Sequence, residues 1–256
     1  MDMETQSLEK EAHQHLKENR YQEAADAFYR AARAYQQKKE HQAAAFCLAS
    51  AAASLASKAG ESAFDQPAEY YEKAAAEAIL ARDLEYASIL FKQAAICHEK
   101  EMDYNGFCLC YYKSKEYQRK FLGQYLLNPS KRGSFNFTSN KRKRIFPSFL
   151  TWLELSFSSL LWGHGEKPER TVYFGMLMVL IFAAIYSQGF LLKAGVAVHP
   201  TPMEAIYFST NTFATVAYGD FVPLGFNKWM ATVESFSGLF ILPVFITALC
   251  RKYLMI

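Results

Sequence analysis

Residues 201–220, TPMEAIYFSTNTFATVAYGD, join two features that bear on ion chemistry. Thr201-Pro202-Met203-Glu204 reads as a helix start, with threonine as cap, proline at the first helical position and glutamate three residues after the cap. The helix is expected to run to about Ala214, apolar on several faces through Ile206, Tyr207, Phe208 and Phe213. A turn-rich run, Thr215-Val216-Ala217-Tyr218-Gly219-Asp220, follows at once. If such a helix re-enters an apolar layer, its C-terminal carbonyls place a partial negative charge where a cation is stabilised. No HExxH, phosphate loop or nucleophile–base arrangement occurs elsewhere, so neither catalytic residues nor a cofactor are expected.

Two apolar segments must position this stretch. Residues 172–192 carry no charge, and at about 1.5 Å per residue they are long enough to cross a ~30 Å hydrocarbon core. Residues 229–250 contain Glu234 and Pro243, interruptions that suit a span packed in protein. Lys167 and Arg170 precede the first segment, and Arg251 and Lys252 follow the second. The connector 193–228 has only Lys193 and Lys228. Basic residues favour the cytoplasmic side, so a multi-pass cell-membrane protein with both termini cytoplasmic is expected.

Residues 204–223 resemble the pore loop of two-helix tetrameric potassium channels, whose filter consensus is TVGYG. Matching positions are Tyr207-Phe208-Ser209, Thr215-Val216, Tyr218-Gly219-Asp220 and Pro223, and the resemblance spans roughly 160–256. It implies a homotetramer in which Thr215, Val216, Ala217, Tyr218 and Gly219 line a filter. Main-chain carbonyls and the Thr215 hydroxyl replace the water of potassium ions. It further implies that Tyr218 enters a supporting cuff with Tyr207 and Phe208, and that the Tyr207 hydroxyl reaches Asp220. Ala217 departs from the family's glycine. A non-glycine residue at positive φ costs about 1–2 kcal/mol, so either the surroundings hold the strained filter or its carbonyl turns away. The alternatives are therefore a non-selective monovalent cation channel and a membrane-anchored adaptor that does not conduct. In the second apolar segment Gly238 is a candidate hinge and Pro243 a candidate kink for a gate, with close packing as the other reading of Gly238. Glu234 is expected to face the short helix or the outer vestibule rather than lipid. No span carries an arginine ladder.

The N-terminal half differs in kind. Alanine pairs recur at 31–32, 51–52, 74–75 and 94–95, and a shift of 43 residues lays Phe28 on Tyr71, Leu48 on Phe91 and Ala51-Ala52 on Ala94-Ala95. These are the marks of stacked helical hairpins, none of which buries its apolar stripe alone. A further helix is expected over roughly 103–125. The pattern is similar to tetratricopeptide and SNAP-like repeats, which implies an assembly module or a binder of a protein or small-molecule ligand. A plain helical bundle is the alternative.

No acid occurs between Glu116 and Glu154, while eight basic residues do, among them Lys131, Arg132 and Lys141 to Arg144. Such a run before an apolar span favours anionic membrane lipid over nucleic acid. The segment SFLTWLELSFSSLLW (148–162) reads as an interfacial helix with Trp152 and Trp162 at headgroup level, or else as a helix packed on the repeats. The five cysteines lack metal-site spacing, and Cys108-x-Cys110 reads as helix packing. The expected fold is all-α: a cytosolic helical-repeat domain over 1–125, a basic linker over 126–147, an interfacial helix over 148–165 and a pore domain over 166–256.

Overall fold

The computed structural model describes residues 2–58, 64–128, 145–216 and 219–254. They form an almost entirely helical chain that divides into two compact units, residues 1–156 and 157–256. The basic linker, Ala217 and Tyr218 lie outside the described residues.

The first unit stacks six helices, each packed on the next: α1 (Asp2–Lys17), α2 (Tyr21–Gln37), α3 (His41–Lys58), α4 (Asp65–Leu80), α5 (Leu84–Lys100) and α6 (Tyr104–Leu127). The alanine pairs at 31–32, 51–52, 74–75 and 94–95 are all buried, as are Phe28, Leu48 and Phe91. Small side chains let neighbouring helices approach, and the larger ones fill the gaps. Four turns share one geometry. Asn19, Lys39, Arg82 and Met102 each adopt φ near +60°. The next residue's N–H then reaches back five residues, as in Arg20 to His15 (2.9 Å), Glu40 to Tyr35 (3.0 Å), Asp83 to Ala78 and Asp103 to His98 (both 2.9 Å). This is the Schellman closure, here without glycine. Asp83 and Asp103 then cap α5 and α6, accepting from the Tyr86 and Gly106 amides at 3.0 and 3.1 Å. Lys39 and Arg82 are 43 residues apart, so the backbone repeats with the period of the alanines. Burial, chiefly, pushes the Cys47 and Cys110 thiols up to about 12 and Cys97 to about 11, leaving all three neutral.

Helix α7 (Ile145–Trp162) starts earlier than the 148–162 segment and contributes residues to both units. Within the first, Trp152 and Leu155 pack against Phe121 and Leu122 of α6. Trp162 packs with Leu161 and Phe213 in the second. Both tryptophans are partly buried against protein side chains, while Phe146, Leu150, Phe157 and Leu160 stand exposed. Helical spacing accounts for this, because Trp152 and Leu155 lie three residues apart on the face that meets α6.

The second unit continues through a 3-10 turn at Gly163–Gly165 into α8 (Pro168–Ser187). Helix α9 (Pro202–Phe213) and α10 (Phe226–Leu254) both pack on α8 and on each other. Helices α8 and α10 are long and apolar enough to cross a membrane. Helix α8 begins before 172 and stops at Ser187, five residues short of the apolar segment's end, because Leu191–Lys193 is diverted into a strand. That strand, β1, pairs antiparallel with β2 (Val196–Val198) and with β3 (Phe221–Pro223), giving the order β2-β1-β3. Helix α10 runs on through Gly238 and Pro243.

Candidate functional site

The N-terminus of α9 folds as its sequence dictates. The Glu204 amide donates to the Thr201 hydroxyl at 3.4 Å, and the Thr201 amide donates to a Glu204 carboxylate oxygen at 2.9 Å. Glu204 also pairs with Lys193 of β1 at 2.6 Å. The Lys193 ammonium first, then the two Thr201 donors, pull the Glu204 carboxyl down to about 2. Lys193 lies 4.8 Å over the Phe221 ring, and the register Lys193↔Phe221 ties β3 to the same strand. One hairpin strand therefore holds both the start of α9 and the chain that follows the TVAYGD run.

The C-terminus of α9 is closed just before that run. Thr215 has φ +55, its amide donates to the Thr212 carbonyl at 3.1 Å, and the Val216 amide reaches Asn211 at 3.0 Å. This is again a Schellman closure, at a β-branched residue for which positive φ is strained by about 1–2 kcal/mol. Ser235 of α10 donates to the Thr212 carbonyl at 3.1 Å. Phe213 is held from two sides: its ring lies 3.5 Å from where a Cβ on Gly175 would stand, and its carbonyl occupies the space a Cβ on Gly238 would need. Gly238 is thus a close-approach residue, set against the backbone of α9.

A buried polar network joins the three helices. Glu234 of α10 is fully buried. It accepts from the Tyr186 hydroxyl of α8 at 2.6 Å and from the Ser209 hydroxyl of α9. The Ser209 hydroxyl also lies 2.9 Å from the Val179 carbonyl of α8. Glu234 therefore faces α9 as its sequence position suggested. Tyr186 and Ser209 carried no signal of this role, since they stand 48 and 25 residues from it in the chain.

The support residues separate. Phe208 is buried edge-to-face on Tyr186 at 4.8 Å, while Tyr207 is half exposed beside Phe221 at 6.4 Å. Adjacent helical residues diverge by about 100°, so within one chain the two rings meet different neighbours, and Tyr218 of the expected cuff lies outside the described residues. The Tyr207 hydroxyl approaches Gly219, 3.4 Å from where a Cβ there would stand. Gly219 has φ +59. Thr215, Val216, Gly219 and Asp220 are exposed in the single chain. Exposed too are Val233, Phe236, Leu239 and Phe240 along α10 and Tyr173, Met176 and Leu180 along α8. Pro243 lies within the unbroken α10.

Residues 174–254 match the model of a family described as "Ion channel". No curated protein and no solved structure matches the chain. The matched segment contains most of α8, with α9, the TVAYGD run, the sheet and α10. Within the C-terminal unit the matched segment is thus similar to ion-channel domains, a likeness that supports membrane association and oligomeric assembly.

Proposed function

We propose that the chain assembles as a homotetrameric potassium channel whose termini are cytoplasmic and whose N-terminal repeats govern assembly or gating. The observation that carries this reading is the bracketing of the TVAYGD run. Before it, α9 is wedged between two membrane-length helices and closed at Thr215. After it, β3 is clamped to β1. Within the run, Thr215 and Gly219 have left-handed backbone, and alternation of such residues with right-handed neighbours turns successive carbonyls toward one side. Four copies set around an axis present carbonyl rings from Thr215 to Gly219 to a dehydrated potassium ion, with the Thr215 hydroxyl at the inner end.

Four copies also account for the open apolar faces. The exposed stripe from Val233 to Phe240 on α10 lines the pore and packs on neighbouring subunits, while the α8 stripe meets lipid. Tyr207 and Phe208 support the filter separately, the first beside Gly219 and the second through α8. The α9 dipole directs its negative end at the ion. Gly238 and Pro243 act at the gate as pivot points of α10. The basic linker binds anionic lipid, and α7 carries the influence of the repeats to the pore. Purified protein in liposomes tests the reading: it predicts potassium uptake down a gradient that barium blocks. Sodium and potassium uptake at equal rates would favour a non-selective pore, and no uptake would favour the adaptor.

A further inference from the structure

Within the first unit, three side chains from three helices converge: Glu72 of α4, His98 at the end of α5 and Cys110 of α6. Their ligand atoms all lie within 4.8 Å of one another, and His98 Nε2 is 3.0 Å from Glu72 Oε1. A tetrahedral zinc ion with bonds of about 2.0–2.3 Å needs ligand–ligand separations of roughly 3.3–3.7 Å. The His98–Glu72 pair thus stands near one required edge before any ion enters, and the other separations must close by no more than about 1 Å. We propose that Glu72, His98 and Cys110 form a zinc site, with the fourth position open to water.

Two further observations point the same way. His98 Nδ1 lies 2.9 Å from Asp103 Oδ2, an ion-pair contact off hydrogen-bond alignment; a carboxylate on that side of the ring leaves Nε2 for the ion. Asp103 serves α6 with its other oxygen, accepting from the Gly106 amide. Gly106 itself occupies the first turn of α6, where glycine weakens a helix. A Cβ there would strike Asp103 Oδ2 and the His98 ring. The glycine therefore keeps space for the imidazole.

The donor set selects the ion. A thiol, an imidazole and one carboxylate suit zinc and disfavour magnesium and calcium, which take oxygen ligands. Charge balances: Zn²⁺ meets the Glu72 carboxylate and the Cys110 thiolate, whose proton leaves to bulk water as the Zn–S bond forms. Without the ion, Lys113 faces Glu72 from 3.9 Å. The site is independent of ion conduction, and its test reads metal rather than current.

The full chain in detergent, stripped with chelator, is titrated with Zn²⁺ by calorimetry and with Co²⁺ by absorption. One equivalent per chain is expected, with a thiolate-to-cobalt charge-transfer band. Cys110→Ser should abolish the band. Glu72→Gln should weaken Zn²⁺ binding tenfold or more, and Asp103→Asn, which keeps a capping side chain, about 10–100-fold. His13→Gln/His15→Gln should change nothing. Absence of Zn²⁺ binding, a Co²⁺ spectrum without the thiolate band, or binding unmoved by Glu72→Gln would overturn the proposal. Glu72 is partly exposed, so Glu72→Gln keeps the test decisive if Cys110→Ser does not fold.

Discussion

The Tyr186 hydroxyl of α8 donates to the buried Glu234 carboxylate of α10 across 2.6 Å. This bond joins the two membrane-length helices, and the Ser209 hydroxyl brings α9 onto the same carboxyl group. Removing one donor leaves a buried polar oxygen short of a partner, at a cost of about 1–3 kcal/mol. Tyr186→Phe should therefore lower the thermal midpoint of the detergent-solubilised protein. Glu234→Gln retains an acceptor for Tyr186 and should lose less than Glu234→Ala. Midpoints equal to wild type in all three variants would show that the network contributes nothing to stability.

Gly238 and the Phe213 carbonyl share a space too small for a methyl group. The obstacle is backbone, which cannot rotate aside as a side chain does. Gly238→Ala should force α10 away from α9 and destabilise the protein by about 1–3 kcal/mol, read as a lower midpoint even in a state that does not gate. A hinge with no packing role predicts instead an unchanged midpoint and altered open probability.

Acid should weaken the anchoring of α9. The Glu204 carboxyl is held down to about 2 against an ordinary 4.5. A depressed folded-state value stabilises above the ordinary value and is lost as pH falls from about 4.5 toward 2. The difference in thermal midpoint between wild type and Glu204→Gln should be full near neutrality and shrink below pH 4.5. A difference independent of pH would contradict the pairing with Lys193.

Thr215 closes α9 with a left-handed, β-branched residue. Thr215→Gly relieves about 1–2 kcal/mol of that strain and should raise the thermal midpoint, while weakening potassium binding by removal of the hydroxyl. Thr215→Ser keeps the hydroxyl and should bind potassium as the wild type does. Loss of binding in both variants would show that side-chain bulk, not the hydroxyl, is what the site needs.

Local signals were the legible ones. The Thr201–Glu204 capping box and the alanine pairs each act over a few residues and appear where the sequence put them, and the apolar runs lie in helices α8 and α10 with shifted ends. The α9 segment and the TVAYGD run bracketed the candidate site from sequence alone. The β1–β3 sheet left no trace, because three-residue strands are too short to show alternation. Its pull on Leu191 shortened α8 against a purely hydropathic reading. The split of Tyr207 from Phe208 needed helical phase, and the partial burial of Trp152 needed the position of α6. Partnerships such as Tyr186–Glu234 or Glu72–His98–Cys110 bridge distant segments and exist only once helices are stacked. Helix α1 buries little beyond Thr5 and Ala12 among its described side chains, so it shows only a faint stripe.

The proposed selective passage of potassium along main-chain oxygens from Thr215 to Gly219 is tested by the reversal potential of the purified protein in a planar bilayer with potassium on one side and sodium on the other. A potential close to the potassium equilibrium value is expected, shifted toward zero by Thr215→Ala. A reversal potential near zero in the wild type would rule out selective conduction through this filter.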